Sequence, residues 1–108
     1  MSKDDRRAAK RLPIERDVRY KVLGLRGQVK EVGLGRTINM SRSGVLFTTE
    51  SILLSGARVE LSISWPVLID KFTPIKLVAS GNVVRVESGQ AAIAIQKYEF
   101  KTAGFRDH

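Results

Sequence analysis

Between Arg58 and Trp65 the chain alternates without error, Val59, Leu61, Ile63 and Trp65 against Arg58, Glu60, Ser62 and Ser64. A period of two over eight residues describes a strand with one buried and one wet face, and excludes an amphipathic helix there. The same rhythm recurs in weaker form along the sequence. Val18, Tyr20 and Val22 alternate with Arg19 and Lys21 between Asp17 and Leu25, and Gly24 and Gly27 mark the turn that follows. Gln28 to Asn39 reads as a second strand, with bends or bulges expected at Gly33 and Gly35, and Gly44 to Thr49 as a third. After Ser55-Gly56 comes the Arg58–Trp65 strand, then a loop from Pro66 to Pro74 that holds two prolines. Ile75 to Glu87 is a long strand whose apolar phase slips near Gly81, and Ala91 to Tyr98 returns after Ser88-Gly89. Phe100 to His108 reads as a short helical turn or a frayed tail.

Six short strands and no long amphipathic helix predict an all-β protein, a six-stranded antiparallel β-barrel that leaves no open edge. The apolar residues of these strands, Phe47 and Trp65 included, are the expected core. The expected division is an arm over residues 1–12 that carries the basic motif, a barrel over 13–104 and a tail over 105–108. Pro13 disfavours helix at Leu12 and so ends the arm. One domain is all that 108 residues carry in such a fold.

Charge is unevenly placed. Residues 1–30 hold ten Lys/Arg against four Asp/Glu, whereas residues 31–108 hold nine against seven. The N-terminal third is therefore where an anion would be held. An absence of cysteine rules out disulfides and thiolate metal sites and agrees with a reducing compartment. With no apolar leader in Met1 to Arg7, a cytoplasmic location is the expectation. The only histidine is His108, and the carboxylates are scattered. An enzyme, a metal site or a bound cofactor is not expected from such a set.

Two short motifs carry the functional reading. Arg7 and Arg11 stand four residues apart in the basic arm, and Asn39-Met40-Ser41-Arg42-Ser43-Gly44 follows the second strand. An Arg-x-x-x-Arg pair followed by Asp/Asn-x-Ser-x-x-Gly resembles the PilZ domain family, small β-barrels that bind the bacterial second messenger cyclic di-GMP. The resemblance extends over roughly Arg6 to Gly104. It implies a ligand-binding set of Arg6, Arg7, Arg11, Asn39, Ser41 and Gly44, with Asn39 and Ser41 on a guanine and the arginines on phosphates and guanines. The chemistry suits such a ligand, since a planar guanidinium forks onto phosphate oxygens, pairs with O6 and N7 of guanine and stacks on purines. An arginine at position 6 implies a stacked pair of nucleotides, two molecules per protomer. Gly44 is expected where a positive φ or a close backbone approach excludes a side chain. Arg36 and Arg42, which flank the turn, read as solvated charge.

The resemblance also implies a bacterial receptor that changes conformation and acts on an unidentified protein target in motility, exopolysaccharide or biofilm control. Two alternatives stand beside it. One is a nucleotide-independent interaction module of the same fold. The other is a basic barrel for single-stranded nucleic acid, disfavoured because the aromatic residues fall mainly in buried phase or in loops.

Overall fold

The computed structural model describes residues 15–102. Within them lie six strands, β1 (Asp17–Leu23), β2 (Val29–Met40), β3 (Gly44–Thr48), β4 (Arg58–Ile69), β5 (Thr73–Glu87) and β6 (Gln90–Thr102). All pairs are antiparallel, and the strands close into a barrel in the order β1-β2-β3-β6-β5-β4. Two three-stranded meanders, β1-β2-β3 and β4-β5-β6, are thus sewn together along two seams. Val18 faces Ile63 on one seam and Gly44 faces Ala94 on the other.

Alternation does the folding. Val18 and Tyr20 of β1, Val45 and Phe47 of β3, Val59, Leu61 and Ile63 of β4, and Ala91 and Ile93 of β6 all point inward and are buried. At the centre the rings of Tyr20 and Phe47 lie 5.8 Å apart and tilted by 51°. Burying such side chains contributes about 1.5–3 kcal/mol each. Tyr20 keeps its hydroxyl satisfied by accepting the Glu50 amide at 3.0 Å, and the Glu50 carboxylate in turn accepts the Leu34 amide at 3.1 Å.

The glycines of β2 serve differently from the expected bends. Register with β1 runs unbroken through Gly33 and Gly35. Their role is close approach: a Cβ on Gly33 would lie 2.2 Å from the Tyr20 ring, and one on Gly35 would lie 2.0 Å from the Thr48 carbonyl oxygen. The irregularities of β2 lie on either side of them, at Lys30 against β1 and at Ile38 against β3. The expected slip near Gly81 is present as a register shift between Ser80 and Gly81, and a second shift separates Val83 from Arg85.

Three sequence readings need correction, all in one place. The Pro66–Pro74 segment is a strand extension with a tight turn, in which Leu68 faces Pro74 and Asp70 and Lys71 take positive φ. Pro66 is tolerated because it falls in the register irregularity between Ser64 and Leu68, where ladder donors are already lost. Likewise β6 runs past Tyr98 to Thr102, so Phe100 belongs to a strand and not to a helical turn. Tyr98 and Phe100 stand in the inward phase of that strand, opposite buried Ala79 and Leu77, yet are half exposed and lie in no loop. The ends of β4, β5 and β6 thus form a three-stranded tongue beyond the closed barrel.

Candidate functional site

The turn between β2 and β3 is built from its own side chains. Ser41 donates its amide to the Gly44 carbonyl at 2.9 Å, and the Ser41 hydroxyl accepts the Ser43 amide at 3.3 Å. A serine hydroxyl bonding the backbone two residues on is a standard turn device. The turn is also tied to β6, because Ile95 donates its amide to the Ser43 carbonyl at 2.9 Å.

A bulge aims the site outward. Thr37 faces Phe47 and Asn39 faces Leu46, so Ile38 is an extra residue on β2. Thr37 and Met40 are both buried, on either side of a phase change. Strict alternation from Thr37 would carry Asn39 into the core; the extra residue places it on the outer face with Ser41, two positions on. Asn39 and Ser41 are each half-buried there.

Beside them lies a shallow groove of about 250 Å3, lined by Ser41, Ser43, Gly44, Leu46, Val84 and Ala94 among others. Its floor is flat because outward positions on β6 are Ala92 and Ala94, opposite Leu46 and Gly44. Gly44 does not take a positive φ, so the close-approach alternative holds: an added Cβ would stand 3.0 Å from the Ile93 carbonyl oxygen. The groove thus has hydroxyls at one end and small apolar groups beneath. Such a surface accepts the face of a planar base and hydrogen-bonds its edge. Its volume lies just under the roughly 300–1,000 Å3 of sites that enclose a whole small molecule.

Asn39, Ser41 and Gly44 are brought together at this ledge, while Arg6, Arg7 and Arg11 lie outside the described residues. What the sequence reading missed is the tie at Arg16. Arg16 donates its amide to the hydroxyl of buried Thr37 at 2.8 Å and accepts the Thr37 amide at 2.8 Å, and its Nε donates to the Ser64 carbonyl at 3.1 Å. Arg16 is therefore fixed to β2, two residues from Asn39. A threonine among inward-facing positions of a strand is the signal that could have found it. Arg36 also departs from simple solvated charge, since it pairs with Asp17 at 2.6 Å. The groove floor was equally unread, although the alternation of Ala92 and Ala94 with Ile93 and Ile95 carries it.

The sequence profile of the PilZ domain matches residues 5–104. The chain belongs to the PilZ domain family. That family is one of cyclic di-GMP-binding modules, and the match takes in the arm, the ledge and all six strands. No curated protein matches the chain. Among the described residues, no helix is long and apolar enough to cross a membrane, and no cluster of side chains could hold a metal ion.

Proposed function

We propose that this PilZ domain is a cytoplasmic receptor for cyclic di-GMP whose N-terminal arm closes over the nucleotide on the outer face of the barrel. The observation that carries the reading is the outward ledge of Asn39 and Ser41 beside a flat groove, with Arg16 tied to Thr37 on the same strand. In this mechanism one guanine lies on Gly44, Ala92 and Ala94 and is read at its edge by Asn39 and Ser41. Arg7 and Arg11 fork onto phosphates and the second guanine. Four residues separate Arg11 from Arg16, and at about 3.3–3.6 Å per residue an extended chain gives Arg11 a reach of roughly 17 Å from Arg16. Groove volume supports the need for a second wall, which the arm supplies. Arg6 adds a third guanidinium and so favours a stacked pair of nucleotides. Closure changes the surface that an unidentified protein partner meets, and the output, in motility, exopolysaccharide or biofilm control, lies in that partner.

Calorimetric titration tests this. Wild type should bind cyclic di-GMP in preference to cyclic di-AMP with two nucleotides per protomer, and Arg6→Leu should move that ratio toward one. Arg7→Ala and Arg11→Ala should each cost about 1.5–3 kcal/mol of binding and leave the melting temperature nearly unchanged. Equal affinity for the two dinucleotides would replace the guanine-reading site with a general anion patch, and undiminished affinity in the Arg7/Arg11 double variant would remove the arm from the mechanism.

A further inference from the structure

Among the described residues, the tongue leaves one edge of β6 open. β3 pairs with β6 only from Gln90 to Ala94, and the last tie on that side is the Ile95 amide to Ser43. From Lys97 to Thr102 the described strand is paired with β5 alone, and all of these residues are exposed. Such a row of unpaired backbone groups is a template for another strand. Its inner face is aromatic: Tyr98 and Phe100 are half exposed, and Phe100 meets Trp65 edge-on at 5.3 Å. Its outer face alternates in sign, Lys97, Glu99, Lys101, with the last two carrying side chains 3.4 Å apart.

We propose that the occupant of this edge is β6 of a second copy of this chain, paired antiparallel about Phe100. In that register Phe100 lies opposite the partner's Phe100, and Glu99 opposite the partner's Lys101, twice over by symmetry. Charge and the occupied edge at Ile95 together select the register. Centring on Glu99 would set Lys97 against the partner's Lys101 and Glu99 against the partner's Glu99, both repulsive. Centring on Tyr98 would match Lys97 with the partner's Glu99, but it would press the partner's Lys101 onto Ile95, whose amide is already taken by the turn at Ser43, and set Phe100 against the partner's Gln96. Lysines on an edge ordinarily keep copies apart; here Glu99 between them makes the edge self-complementary. Two Trp65–Phe100 pairs then meet across the axis and extend the half-covered apolar face into one floor. The dimer is weak and concentration-dependent, because only Tyr98 to Thr102 of each copy pair.

Sedimentation velocity on the full chain across a dilution series tests this, with far-ultraviolet circular dichroism as the control for folding. Wild type should pass from monomer to dimer with concentration. Glu99→Lys and Lys101→Glu should each weaken the dimer about tenfold, since each turns both cross-strand pairs repulsive. The double variant should restore it. A wild type that stays monomeric at every concentration overturns the proposal, as does a dimer insensitive to either single change or a double change that fails to rescue. A monomer in which the Tyr98–Thr102 amides that point away from β5 resist hydrogen exchange would give the edge to another segment of the same chain and equally overturn it.

Discussion

The closed barrel and the tongue beyond it are made of the same strands, yet they bury their inward residues to very different degrees. Leu61, Ile63 and Ala79 inside the ring are fully buried, while Tyr98 and Phe100, on the same face of the same sheet, are 52% and 50% exposed. Tyr98 faces Ala79 and Phe100 faces Leu77, so the inward face continues across the boundary, with β6 changing phase at the register shift beside Gly81. What changes is the number of strands. β1 and β3 stop short, and the face they would have covered is left half wet. Burial here is a property of closure, and the residue pattern only decides which side is available to be buried.

The largest effect should come from the ring. Phe47→Ala, which empties the centre beside Tyr20, should cost about 3–5 kcal/mol of stability by chemical denaturation. A loss no greater than that of a tongue variant would break the contrast between the two regions. Gly33→Ala should cost about 1–3 kcal/mol by forcing the Tyr20 ring off its position, the penalty of overpacking a closed core. An unchanged denaturation midpoint would mean that the ring yields where a well-packed interior should not. Phe100→Ala, at a dilution where the chain is monomeric, should cost about 1 kcal/mol, since only half of the ring leaves contact with protein. Trp65 is the sole tryptophan, so loss of its edge-on neighbour should also shift the emission spectrum. An unshifted spectrum would show that the tongue holds its aromatic pair less firmly than the packing implies. The smallest effect belongs to Asp17→Asn, which removes the exposed partner of Arg36 and should cost under about 1 kcal/mol, screened further by salt.

Most of the ring was legible because it is closed. Strict alternation in β1, β3 and β4 marks residues with one buried face, and Gly81 marked a true register shift. The tongue was misread for the complementary reason: Pro66 and Pro74 are loop signals in a closed sheet, but Pro66 falls where the ladder is interrupted and Pro74 stands beside the β4–β5 turn, opposite Leu68. Likewise the tail of β6 has the charge content of a frayed end, and only its pairing with β5 reveals a strand. At the candidate site, Asn39, Ser41 and Gly44 were legible as a motif. The bulge at Ile38 that aims them was not, because an extra residue on one strand exists only relative to its partner. Nor was the Arg16–Thr37 tie, which joins backbone and side-chain groups of residues 21 positions apart.

Closing the ring along two distant seams also sets the order in which the protein can assemble. Val18 must find Ile63 and Gly44 must find Ala94, and each encounter spends the entropy of a long loop before any hydrogen bond repays it. Barrels dominated by such non-local pairing fold in milliseconds to seconds, far slower than helical chains of this length. During synthesis the second seam cannot form until β6 has emerged. Until then β3 and β5 each present a bare edge above an uncovered core, so the arrival of β6 is what turns a sticky open sheet into a closed ring.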